Sequence, residues 1–252
     1  MIATSRHGAT LLLELARPDR GNALSAPLVE SMIAAVEGAF ADPALDTLVL
    51  CGRGRNFCTG LDLSDLEQSS DGDMLLRLVR IETLLSLLWH APIRTACLAH
   101  GRSWGAGADL VVACERRGAL PGASFRFPGV QFGILLGTRR LAERVGSDTA
   151  RGILVEARHL DLAQAVATGL VGVDGLPSTD PGDAAADAPA VARAWLGAFA
   201  APAVSSSLAR GLRRATRADR SDEDLANLVR SASLPGLKQR IAAYRAAATA
   251  GR

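Results

Sequence analysis

Between Ile93 and Cys114 the chain passes from the small, apolar run Ile93-Arg94-Thr95-Ala96-Cys97-Leu98-Ala99 into the bend Trp104-Gly105-Ala106-Gly107-Ala108, then directly into Asp109-Leu110-Val111-Val112-Ala113-Cys114. No other stretch restricts the fold as much. It reads as a buried strand feeding a glycine-rich turn and an apolar helix. The first backbone N–H groups of such a helix lack intrahelical partners, and the dipole there favours negative charge. Glycine and alanine let a ligand approach the main chain, and Asp109 stands about one turn into the helix. The same residues also suit a tight crossing of helix over strand with Asp109 merely solvated. This stretch alone leaves both readings open.

A second stretch repeats the pattern. Thr47-Leu48-Val49-Leu50-Cys51 reads as a strand, and it leaves into the glycine-rich loop Gly52 to Leu63. Two such loops offer one N–H each, the minimum for an oxyanion hole, where losing one donor costs roughly 3 to 4 kcal/mol of transition-state stabilisation.

Three blocks in this order and spacing resemble the enoyl-CoA hydratase/isomerase, or crotonase, superfamily. They are Arg17-Pro18-Asp19-Arg20-Gly21-Asn22-Ala23-Leu24, the loop Gly52 to Leu63, and His100-Gly101 followed by Trp104 to Glu115. Ala163-Gln164-Ala165 with Gly169-Leu170-Val171, and Ala201-Pro202 with the helix beyond, extend the resemblance over nearly the whole chain. It implies an α/β fold: a crotonase-like spiral of repeated strand, strand, helix turns spanning 1–188, with a C-terminal helical region, 189–252, used for trimer formation. A homotrimer or dimer of trimers is therefore expected. It also implies an acyl-CoA substrate and a place in fatty acid metabolism. No tightly bound cofactor and no metal are expected, coenzyme A entering only as part of the substrate.

Carried over by position, the oxyanion donors would be the N–H groups of Leu61 and Ala106, and Asp109 would be the catalytic acid or base. Ala23, Thr59, Gly60, Asp62, Leu63, Gly105 and Gly129 would bind substrate. Asp109 stands where hydratases of the family carry one of two catalytic glutamates and some dienoyl-CoA isomerases an aspartate. Gly129 is the departure. The family's second glutamate follows a proline in a segment resembling Phe127-Pro128-Gly129-Val130, and here that carboxylate is absent. The chain also lacks several residues of the usual glycine-rich turn between Ile134 and Leu141. Hydration wants one carboxylate to activate water and another to supply a proton. A single acid suits double-bond isomerisation or protonation of an enolate left by decarboxylation. A thioester hydrolase, or a family member that binds without turnover, stays open.

Composition narrows the classes further. A chain of 252 residues, 48 % hydrophobic and 21 % charged, is ordinary for a soluble globular protein with a sizeable core. No apolar run reaches the roughly 18 residues a membrane span needs, and the start lacks a secretion-signal layout, so a cytoplasmic location is expected. A net charge of +2 without a basic, aromatic-interleaved run excludes nucleic acid as the natural partner. Lys238 is the sole lysine, so phosphate contacts fall to arginine, with Arg17, Arg20, Arg53 and Arg55 as candidates. Cys51, Cys58, Cys97 and Cys114 show no CxxC spacing and read as small buried thiols.

Along the chain, strands are expected over 9–15, 47–51 and 93–99, with one short strand over Gly118 to Phe127 and another over Leu170 to Val173. Helices are expected from Ser25, as N-cap, to about Phe40, and from Met74 to Trp89. Others should run from Thr138 to Val145, after Ser147 or Asp148 as N-cap, and from Ala163 to a cap at Gly169. Asp62 to Gly72 is expected as a polar, mobile edge and Pro128 to Gly137 as an apolar loop. Gly175 to Pro189 reads as a linker before helices over 190–199, 203–217, 221–233 and 237–248. His100 reads as structural, Gln131 as a possible orienter of water, and Ser103 has no acid or histidine partner. Tyr244 and Lys238 lie where the last helix would approach an acyl-CoA.

Overall fold

Thr47–Gly52 (β3) is buried at every position, the pattern of a parallel strand covered on both faces. In the computed structural model, which describes residues 1–174, 176, 187–196 and 204–250, it lies at the centre of the main sheet. Thr10–Leu15 (β2) runs parallel to it on one side. Arg94–Ala99 (β4) and then Arg116–Ala119 (β6) follow in parallel on the other. Ile2–His7 (β1) closes the β2 edge as an antiparallel hairpin around Gly8. This strand was absent from the sequence expectations because its polar, half-exposed residues carry little apolar signal.

A second, thinner layer stands beside the first. Arg102–Trp104 (β5) pairs in parallel with Ser124–Arg126 (β7), and single bridges Leu24–Leu61, Cys58–Ser103 and Phe125–Leu160 extend it in both directions. Each of the four parallel main-sheet strands therefore leads to a short second-layer segment and then to a helix. Leu24 precedes Ala26–Ala41 (α1), Cys58 to Leu61 precede Asp71–Trp89 (α2), and β5 precedes Ala106–Ala113 (α3). β7 is followed by Thr138–Val145 (α4) and Ser147–Glu156 (α5). This is the expected spiral of strand, strand, helix turns.

The large core lies under α1, α2 and α3, with Leu28, Met32, Leu84, Leu85 and Val111 fully buried. Ala188–Leu196 (α7) covers the opposite face of the sheet, where Trp195 packs so tightly on Gly118 that an added Cβ there would stand 2.8 Å from the ring. Leu162–Ala167 (α6) starts at a capping box of Asp161 and Gln164 and is followed by Gly169 at φ 74°. Ser206–Thr216 (α8), Ser221–Ala232 (α9) and Leu237–Ala250 (α10) complete the described helices. Leu228, Ala232, Leu237 and Ile241 of α9 and α10 form a third cluster with Met74 and Leu78 of α2.

Several local expectations change. Gly118 to Phe127 is two strands in different sheets, separated by a turn at Gly122 with φ 80°. Leu170 to Val173 forms only one bridge, Gly172 to Gly118. Ser147 and Asp148 lie inside α5, which is capped by Gly146, and Ser25 precedes α1 without a side-chain cap bond. Asp62 to Gly72 is folded rather than a mobile edge. Leu66 and Ser69 are buried there, and Ser70 and Asp73 form a capping box that starts α2. Of the expected linker, 175 and 177–186 lie outside the described residues, and α7 already begins at Ala188. Residues 197–199 of one expected helix, Ala203 of the next, and Ala201-Pro202 also lie outside them. Among the described residues no helix is long and apolar enough to cross a membrane.

Candidate active site

The two glycine-rich bends meet. Cys58 accepts the Trp104 N–H at 3.0 Å and donates its own N–H to Arg102 at 3.2 Å, clamping the second-layer segments together. Gly60 has φ 94°, and an added Cβ would stand 2.7 Å from the Trp104 carbonyl oxygen and 3.4 Å from the Ala106 nitrogen. Gly105 has φ 53° and ψ −132°, a conformation open to glycine almost alone, and sends its N–H to the Arg126 carbonyl at 2.8 Å. Glycine is thus what lets the bends close on one another.

Leu24 uses its N–H on Gly60 and its carbonyl on the Asp62 N–H, as a parallel bridge requires, and this turns the intervening Leu61 N–H away. Ala106 is the first residue of α3, so its N–H has no intrahelical acceptor. Neither N–H meets an acceptor among the described residues. Both residues line one cavity of about 560 Å³, shared with Thr59, Gly60, Leu63, Gly105, Asp109 and Gly129. Its remaining wall is largely apolar, including Leu78 of α2, Phe132 and Ile134 of the turn after Gly129, and Ile241 of α10.

Asp109 is 6 % exposed, and it is the one carboxylate on the cavity wall among the described residues. Burial raises its proton affinity well above the usual carboxylate range, and the nearby Glu82 charge adds to this while Arg140 opposes it. Gly137 presses directly on it, since an added Cβ there would stand 2.4 Å from Oδ1. Glu82 and Arg140 form a buried bidentate pair behind the site, at 2.5 and 3.0 Å. At Gly129 no side chain enters the cavity, and an added Cβ would stand 3.0 Å from the Ile134 carbonyl oxygen. The turn that follows Gly129 thus brings main chain to within 3.0 Å of where a Cβ at 129 would stand.

Two expected binding residues lie off this wall. Arg17 binds both, donating to the Ala23 carbonyl at 2.8 Å and to the Asp62 carboxylate at 3.0 Å. Burial pushes Asp62 up, yet Ser64 and Arg17 together bring it below its ordinary value. Arg53 pairs with Glu14 at 2.6 Å, whereas Arg20 and Arg55 are exposed. Gln131 donates to the Val155 carbonyl at 2.6 Å, a structural bond. Tyr244 lines the cavity with its ring 5.1 Å from that of Phe132, while Lys238 turns away to the Glu67 carbonyl. His100 is buried with Nε2 2.9 Å from the Gly54 carbonyl oxygen, and Ser103 is buried without a hydroxyl partner. All four cysteines are free and buried. Among the described residues no three of His, Cys, Asp or Glu gather as metal ligands.

Arg126 is a cavity residue that the sequence reading passed over. Its signal was a single charge between Phe125 and Phe127, two buried aromatics, which strand alternation turns to the opposite face.

Comparison with known proteins bears on this geometry. Residues 5–218 match the family model for enoyl-CoA hydratase/isomerase. A probable enoyl-CoA hydratase of Mycobacterium tuberculosis is 34 % identical over 173 residues, covering 68 % of this chain and 69 % of that protein. The ethylmalonyl-CoA decarboxylase of Gallus gallus is 31 % identical over 156 residues, covering 60 % of this chain and 51 % of that one. A crystal structure assigned to enoyl-CoA hydratase/isomerase, from Bordetella parapertussis, superposes with a TM-score of 0.86 at 43 % identity, covering 97 % and 98 % of the two chains. With the spiral, the paired bends and a family match over most of its length, the chain belongs to the enoyl-CoA hydratase/isomerase family.

Proposed function

We propose that the protein acts on an acyl-CoA thioester through an enolate, holding the thioester oxygen between the Leu61 and Ala106 N–H groups and moving one proton with Asp109. The observation that carries this reading is the pair of N–H groups without acceptors, lining one cavity beside a buried acid. A carbanion beside a thioester forms readily only where fixed donors already await the charge on oxygen. A carboxyl group whose proton affinity is raised by burial is a stronger base and can both take and return a proton.

One acid rather than two favours proton relocation over water addition, so the isomerase-like form of the chemistry is the preferred version. Protonation of an enolate left by loss of carbon dioxide uses the same parts. The relationship to a decarboxylase makes that the second reading, and thioester hydrolysis shares the oxyanion site. The bare wall at Gly129 is also what a protein that binds acyl-CoA without turnover would have.

The test is deuterium uptake from D2O at the carbon beside the carbonyl, across a series of saturated, enoyl and malonyl thioesters. We expect exchange with at least one class, and product analysis then separates isomerase, decarboxylase and hydrolase. Tight binding with no exchange and no product for any member would reject enzymatic action and leave the binding role. We also propose assembly as a homotrimer or dimer of trimers. Leu208 and Leu212, one turn apart on α8 and 61 % and 60 % exposed, support a covered face there. Sedimentation of a stable monomer would remove this proposal.

A further inference from the structure

Arg126 ends β7 opposite Trp104 in the parallel register, and its carbonyl holds the Gly105 N–H, so its backbone is tied to the bend that presents Ala106. Its half-buried side chain lines the cavity. The guanidinium is fixed at one point, where Nε donates to the Ala157 carbonyl at 3.0 Å. That carbonyl is itself held still. Ala157 closes α5 in the left-handed conformation, φ 45°, with its N–H shared between Ile153 and Leu154.

Among the described residues the two terminal nitrogens of Arg126 have no acceptor and no carboxylate lies within ion-pair reach. An arginine anchored through Nε presents a planar fork, which matches the two oxygens of a carboxylate. Nothing else on the wall answers its charge. Asp109 is buried where its neutral form is favoured, and Arg245 is a second cation, already donating to the Leu63 carbonyl. A largely apolar cavity holding an unanswered fork is built for a ligand that brings its own anion.

We propose that Arg126 selects acyl thioesters bearing a second carboxylate on the acyl group, gripping its two oxygens with the terminal guanidinium nitrogens. This rests on the reading of the cavity as an acyl-thioester site. A coenzyme A phosphate offers similar anionic chemistry, so the experiment separates the two sources.

Dissociation constants are measured for the full chain with the matched saturated pairs malonyl and propionyl, succinyl and butyryl, and adipyl and hexanoyl. Each is presented both on coenzyme A and on N-acetylcysteamine, which lacks phosphates. We expect at least one dicarboxylic member to bind about 10- to 100-fold more tightly than its partner on both carriers. That ratio should fall to near one in Arg126→Ala and in Arg126→Gln, whose amide still reaches toward Ala157. Because the readout is a ratio on one protein, a general loss of fold lowers both members and does not mimic it. No preference in the wild type, a preference that survives both substitutions, or one confined to the coenzyme A carrier would overturn the proposal. Equal binding within every pair sinks this inference alone, whereas failure of every thioester to bind removes the underlying reading of the cavity as well.

Discussion

Asp109 gains its proton affinity first from burial and then from Glu82, which gives it two measurable signatures. The folded chain holds a proton that the unfolded chain releases above about pH 3.8, so this residue's contribution to stability is greatest in acid and falls as pH rises toward the folded value. Asp109→Asn removes the penalty. It should raise the melting temperature at pH 7, with the gain shrinking as pH approaches 3.8, while turnover drops by roughly 10²- to 10⁴-fold. Parallel thermal melts and turnover assays check both, and unchanged turnover in the variant would end the assignment of Asp109 as proton carrier. The place of Asp109 on the cavity wall was legible in the sequence because it depends on local spacing, one turn after the bend that presents Ala106. Arg126 was not. Its importance comes from the terminal nitrogens finding no partner after folding, which no local pattern encodes. Asp62 was expected to bind substrate through the resemblance alone, and its pairing with Arg17, which joins positions far apart in the chain, was equally hidden from local pattern.

The bends and the turn behind them work as matched elements. Gly129 to Gly137 is short enough that the Ile134 carbonyl crowds position 129 while Gly137, at φ 66°, abuts the Asp109 carboxyl. The bare wall at Gly129 and the close confinement of the Asp109 carboxyl therefore involve one and the same turn. Gly137→Ala should force that carboxyl aside and strain a left-handed backbone position. The expected cost is about 1 to 3 kcal/mol of stability together with a fall in turnover, followed by urea denaturation and steady-state kinetics. Full activity in this variant would show that the confinement does not matter. The long elements were readable from sequence because β3 is apolar throughout and α2 repeats leucine at helical spacing. The three-residue β5 was not, and β7 was merged with β6 into one expected strand over Gly118 to Phe127, since runs that short have no period to detect and their pairing depends on bends meeting across the second layer.

At the scale of the whole molecule, α2, α4 and α9 are fastened by one ionic network. Arg140 of α4 binds Glu82 of α2 and lies 3.2 Å from Asp224 of α9, and Arg139 grips the same Asp224 at 2.6 and 2.8 Å. Burial pushes Glu82 up and the bidentate guanidinium pulls it back. Glu82→Gln leaves Arg140 with only the Asp224 carboxylate it shares with Arg139 and should cost up to about 3 to 5 kcal/mol in urea denaturation, whereas Glu82→Leu combined with Arg140→Met should recover most of the loss. A loss below about 1 kcal/mol would mean the network is better hydrated than its burial implies. The spiral itself was legible only through family resemblance, because its repeat lives in hydrogen bonds between successive turns and not in repeated residues. One seam of that spiral has a practical corollary. Cys58 sits behind the meeting point of the bends, its thiol directed to the Asn22 carbonyl and pushed up to about 12 by burial. It is therefore inert to alkylating reagents while the seam is shut, and it becomes a chemical clock for the rare moments when the two bends part.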